Sequence, residues 1–145
     1  MQVDFYQLTR DPAEQVIPAI AQKIVGDGGR LLVIVGDEVQ AGQLSEALWA
    51  LKPETFLAHG FAGSEGDANQ PILLSLDTEP SNGARMVAIA DGEWRDAALQ
   101  FDRAFYLFPP GKTDNARAAW RALAGNADVE CRYWKQDGGK WRQGP

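Results

Sequence analysis

Cysteine is almost missing from this chain: Cys131 is the only one in 145 residues. No disulfide framework can form within the chain, and a reducing compartment is expected. Histidine is equally scarce, with His59 alone. One of each, with no H-x-x-x-H and no C-x-x-C, cannot make a common zinc site without carboxylates, so neither a metal nor another cofactor is expected. No apolar stretch approaches the ~20 residues that a membrane helix needs. The opening "MQVDFYQLTRD" has no positive segment followed by an apolar run, so it carries no signal-peptide pattern. The expectation is a cytoplasmic protein with no membrane partner.

Catalytic signatures are absent too. There is no G-x-S-x-G elbow, and Cys131 has no sequence-level partner. The strand–glycine–helix stretch "VIVGDEVQAGQL" (Val33 to Leu44) has neither G-x-G-x-x-G nor G-x-x-x-x-G-K-[ST] spacing. Asp37 within it reads as a helix cap. "GKT" (Gly111 to Thr113) has a P-loop ending without its upstream glycine. Pro109 and Pro110 before it lack the backbone N–H groups that would cradle a phosphate, so "PPGKTD" reads as a rigid turn into a helix. His59 as a general base is the weaker reading, and a packed side chain bonding a backbone group near the turn is the stronger.

What is present describes a folded domain: 45% hydrophobic and 23% charged residues. The length suits a single domain, residues 1–145, with its own core. "VDFYQL" (Val3 to Leu8) reads as a first strand. "DPAEQVIPAIAQKIV" reads as a helix capped by Asp11, with Pro12 at the first helical position and Pro18 early enough to bend rather than end it. "GDGG" stops it. "RLLVIVG" has the continuous apolar character of a strand buried on both faces. "EVQAGQLSEALWAL" is helical, with Val39, Leu44, Ala47, Leu48 and Leu51 as its apolar positions. "PILLSL", "ARMVAIA" and "RAFYLF" are strands, and "GEWRDAALQF" is a short helix. "TDNARAAWRALAG" is a helix capped by Thr113 or Asp114 and ended by Gly125. "VECRYWKQDGGKWRQ" is a terminal β-hairpin. Gly63 to Gln70 is expected to be the mobile loop. Helices alternating with strands imply crossover connections: an α/β fold with a mostly parallel central sheet flanked by helices, Rossmann-like in topology without a nucleotide site, and antiparallel at one end.

The net charge of -6 argues against a broad nucleic-acid surface. The charge is uneven: residues 1–100 carry 15 acidic and 6 basic side chains, residues 101–145 carry 5 and 8. A basic third on an acidic chain suits an acidic partner, although solvation alone also accounts for such counts. Aromatic residues stand in unusual places. Trp49 lies one residue off its helix's apolar stripe, Phe56 and Phe61 flank His59, and Phe108 ends a strand before two prolines. Arg117, Trp120 and Arg121 share one side of a helix by their i, i+3 and i+4 spacing, and Trp and Arg dominate interface hot spots. A core role for the tryptophans is the plainer alternative.

In order along the chain, "VDFYQL", "GGRLLV", "EALWALKPETFLAHG", "QPILL", "NGARMVAIADGE", "RAFYLF" and "ARAAWRALAG" resemble the chi subunits of bacterial DNA polymerase III holoenzyme. The most specific part is "LSEALW" followed by P-E-x-F-x-x-H-G and "QPI". The resemblance implies a non-enzymatic α/β replication adaptor of the clamp-loader assembly. It implies two partners: the psi subunit, in a heterodimer, and the acidic C-terminal tail of single-stranded DNA-binding protein, which ends in Pro-Phe. Carried over by position, Trp49, Phe56 and Phe108 match the apolar contacts with psi. Arg117, Trp120 and Arg121 match the tail pocket, where relatives often have tyrosine and lysine in place of Trp120 and Arg121, and Lys112 is the candidate for its additional lysine. The alternatives from the residues alone are a nucleotide-binding or hydrolytic α/β enzyme and a single-strand binder with stacked aromatics; the second conflicts with the net charge.

Overall fold

The structure, a computed structural model, describes residues 1–50, 57–137 and 140–144. Its chain order is β1 (Gln2–Gln7), α1 (Ala13–Gly26), β2 (Leu31–Ile34), α2 (Glu38–Trp49), β3 (His59–Phe61), β4 (Ile72–Ser75), β5 (Met86–Ile89), β6 (Arg103–Phe108), α3 (Thr113–Ala124), β7 (Glu130–Asp137) and β8 (Lys140–Gln143). Short 3-10 turns occupy Asp67–Asn69, Asp96–Gln100 and Pro110–Lys112. The strands form one eight-stranded sheet in the order β3-β4-β2-β5-β6-β1-β7-β8. Every pairing is parallel except β7 with β8. The α/β class and the antiparallel end are as the sequence predicts; β3, only three residues long, is an element the sequence reading lacks.

The core lies in two layers because strand residues alternate between faces. Leu31, Val33, Leu74, Ala88, Phe105 and Leu107 meet α1 and α2 on one face. Phe5, Leu32, Ile34, Val87, Tyr106 and Phe108 meet α3 and the 96–100 turn on the other. All of β2 is buried, as its unbroken apolar run requires. Helix α1 continues through Pro18 and ends where Gly28, at φ +85°, lets the chain turn back onto the carbonyls of Val25 and Ile24.

Several local expectations are corrected. Asp11 does not cap α1: Pro12 occupies that position with no side-chain cap, while the Asp11 carboxylate accepts from Gln136 Nε2 at 2.8 Å. Neither Thr113 nor Asp114 caps α3; Lys112 holds the cap position, and the Thr113 hydroxyl donates to the carbonyl of Pro110. Val39 is 69% exposed, because α2 buries Ala41, Leu44 and Leu48 and turns Val39 outward. Leu51 lies outside the described residues. Separately from these corrections, within the 63–70 loop the Asp67 carboxylate accepts from the Gly63 and Ser64 amides and the Ser64 hydroxyl. The Gly63 bond foremost holds that carboxyl below its ordinary value.

Candidate functional site

An open α/β sheet offers a ligand crevice where neighbouring strands send their connections in opposite directions. Here that point lies between β2, whose chain leaves through α2 toward β3, and β5, whose chain leaves toward β6. A cleft of about 440 Å³ lies beside it, and Gln40 ties the surrounding loops together along one wall. Gln40 Oε1 accepts from the Gly36 amide at 2.8 Å, and its Nε2 donates to the Ala90 carbonyl at 2.8 Å and to Glu14 at 3.0 Å. The first turn of α2 is capped by its own Asp37, which accepts from the Gln40 amide at 2.7 Å. The Gly36 and Gln40 amides are thus already engaged, and the carboxylates of Asp37 and Glu38 stand at the same turn, which disfavours a phosphate there.

A different cleft, of about 470 Å³, opens on the α3 face between α3 and the end of the sheet. Arg117, Trp120 and Arg121 line it from the helix, Gln7 from β1, and Tyr133 and Lys135 from β7. The helix presents them together because Ala116, Ala119 and Leu123 bury its opposite stripe. Trp120 is half-buried and meets Phe5 edge-on at 5.1 Å and Tyr133 edge-on at 5.9 Å, so the wall is held by aromatic packing. The Tyr133 hydroxyl donates to Gln7 Oε1. Burial raises the Tyr133 pKa, and the positive charge of Arg117 opposes that rise. Arg117, Arg121 and Lys135 are exposed, no carboxylate lines the cleft, and none of the three cations pairs with an acidic residue among those described. An aromatic wall ringed by unpaired cations suits a ligand carrying both carboxylates and an apolar ring.

Lys112 is not part of this cleft. Its stem packs over Gly92, where an added Cβ would lie 2.8 Å from Lys112 Cγ, and its ammonium pairs with Glu93. The lysine that lines the cleft is Lys135, which the sequence reading lacks. The signal for it was only the basic character of the last third.

The expected apolar surface of Trp49, Phe56 and Phe108 is corrected at Phe108. That ring has no exposure and packs against Tyr106 and Tyr133 on the α3 face. Trp49 extends from α2, on the opposite face, four strand positions away. Phe56 lies outside the described residues. Trp49 is 51% exposed and leans on His59 with ring centroids 4.6 Å apart. His59 lies within hydrogen-bond distance of the Leu57 carbonyl through Nδ1, at 3.0 Å, and of the Ser45 hydroxyl through Nε2, at 2.7 Å. It is the packed residue bonding a backbone group that the sequence suggested. Phe61, 50% exposed, lies two residues along the same strand.

The fold and its sites define a class: a mostly parallel α/β domain with Gln40 tying the loops at its switch point and a cationic, aromatic-walled cleft beside α3. The family profile described as "DNA polymerase III chi subunit, HolC" matches residues 1–129. The chain belongs to that family. It is 32% identical over 93 residues to "DNA polymerase III subunit chi" of Escherichia coli K12, covering 59% of this chain and 63% of that protein. It is 35% identical over 83 residues to "DNA polymerase III subunit chi" of Pseudomonas aeruginosa, covering 55% of this chain and 57% of that protein. The matched stretch thus spans less than two thirds of either relative's length.

Proposed function

We propose that this chain is a replisome adaptor of the clamp-loader assembly that pairs with the psi subunit and holds the acidic C-terminal tail of single-stranded DNA-binding protein. The observation that carries the tail assignment is the α3–β7 cleft: unpaired Arg117 and Arg121 beside the Trp120 wall. The planar guanidinium forks suit a terminal carboxylate, and the indole suits a terminal phenylalanine ring. The psi assignment rests on Trp49 and, by resemblance, Phe56. The large hydrophobics that are exposed among the described residues, Val39, Trp49, Phe61 and Leu76, belong to α2, β3 and the end of β4. Six strand spacings, roughly 29 Å at ~4.8 Å each, separate β3 from β7, which supports a separate surface for each partner.

Fluorescence anisotropy with a labelled acidic peptide ending in Pro-Phe tests this reading at low and physiological salt. Affinity should be modest and fall with salt, since exposed charges are screened over ~8 Å at physiological ionic strength. Arg117→Glu should abolish detectable binding and Arg121→Glu should weaken it strongly. Trp49→Ala should lower affinity for psi and leave the peptide unaffected. Unchanged peptide affinity in Arg117→Glu would remove the tail assignment.

A further inference from the structure

The family match reaches only one wall of the cleft. Helix α3 lies inside the family profile, but Tyr133 and Lys135 belong to β7, beyond residue 129 where the match ends. Strand β7 is parallel to β1, which is parallel to β6. A helix joining two parallel strands runs back against them, so α3 is antiparallel to β7. The first turn of α3 therefore faces the end of β7, where Lys135 lies, and Arg121 faces its beginning. Arg117 lies between, close enough for its charge to act on Tyr133.

The cations thus fall in the order Arg121, Arg117, Lys135 along the cleft. Arg117 and Arg121 are about 6 Å apart along the helix axis, at ~1.5 Å per residue. Tyr133 and Lys135 are about 6.6 Å apart along the strand, at ~3.3 Å per residue. From midway between the arginines to Lys135 is therefore about 10 Å, or roughly three residues of extended peptide. Lys135 is available for such a contact. It is exposed, and its cross-strand partner Arg142 is tied to Asp137 at 2.9 Å.

Resting on the adaptor reading above, we infer that Lys135 reads an acidic side chain about three residues before the carboxyl terminus of the bound tail, while Arg117 and Arg121 hold the terminus itself. The C-terminal hairpin is then a specificity element of the cleft. It selects among peptides that share the terminal Pro-Phe by where their acidic residue stands.

A peptide scan against Lys135→Ala tests this by anisotropy at fixed salt. Five peptides are used: an acidic one ending in Pro-Phe, and variants with asparagine replacing the acid at the second, third, fourth or fifth residue before the terminus. Lys135→Ala should weaken the parent peptide roughly three- to fivefold, as expected of a partly exposed ion pair. Lys135→Arg should keep most of the affinity. The loss should vanish for one variant only, the third or fourth, because its partner is already missing. An equal loss across all variants would mean a general field rather than a reading contact and would overturn the inference, as would no loss for any. Arg117→Glu separates the two levels. If it abolishes binding while Lys135→Ala changes nothing, only the role of the hairpin fails; if it too changes nothing, the tail reading itself fails.

Discussion

Replacing Gln136 by leucine removes an amide that the fold uses four times. Its Oε1 accepts from the backbone N–H groups of Thr9, Arg10 and Asp11, at 3.3, 3.1 and 3.2 Å, and its Nε2 donates to Asp11. The side chain is 5% exposed, so leucine keeps the volume and loses the chemistry. Each lost bond costs about 1 kcal/mol, more where the orphaned amide stays dry. Thr9 and Arg10 are exposed and water can reach them, which brings the sum to about 2–3 kcal/mol. For a chain of this size each kcal/mol moves Tm by about 2–4 °C, so a fall of about 5–10 °C is expected. The bond from the Thr9 hydroxyl to the Gln136 carbonyl, at 3.0 Å, is untouched and keeps the loop's position marked. Urea denaturation followed by far-UV circular dichroism measures the loss. A leucine variant within ~0.5 kcal/mol of the parent, the ordinary range for a surface change, would refute the reasoning.

Two further outcomes are expected. Phe108→Ala should destabilise the fold by about 3–5 kcal/mol, the range for truncating a buried phenylalanine, with no selective effect on either partner; weaker psi pairing at unchanged stability in urea would contradict its burial. The Asp67 carboxyl is held below its ordinary 3.8 chiefly by the Gly63 amide, so its contribution to the loop is present above that value and is lost as pH falls through the folded-state pKa; hydrogen exchange at the Gly63 and Ser64 amides should be protected near neutrality and quicken, beyond the intrinsic pH trend, in acid below 3.8, and Asp67→Asn should remove that dependence.

How much of this could be read in the sequence depended on the range of the interactions. The buried strand "LLVI", the Asp37 cap and the Gly28 stop are written within a few residues and were legible. Asp11 before Pro12 is also a sound local cap signal, but it lost to Gln136, 125 residues away, which offers its carboxylate a donor. Phe108 was misplaced because a strand buried on both faces shows no alternation in polarity. Only its place on the same face of β6 as Ala104 and Tyr106, which pack with α3, tells that it points that way. For the cleft, Arg117, Trp120 and Arg121 were legible from helical spacing alone. Tyr133 and Lys135 were not, since their approach depends on β7 lying beside β1. The Gln40 tie was likewise invisible: it joins Gly36, Ala90 and Glu14 from three parts of the chain.

The interior position of β1 bears on how the chain is made. Among the described strands β1 is made first, and its two neighbours, β6 and β7, are among the last three. Gln7 and Tyr133 are 126 residues apart. At ~5–20 residues per second of synthesis, β1 waits roughly 6–25 seconds for its second edge to be covered. During that interval Val3 and Phe5, both wholly buried in the finished sheet, have only early partners, and two rows of backbone amides stand open. The growing chain is therefore exposed to wrong pairing at β1 while the stretch from β2 to β7 is made. Closure of the sheet, long in sequence separation and parallel in sense, should be the slow step of folding.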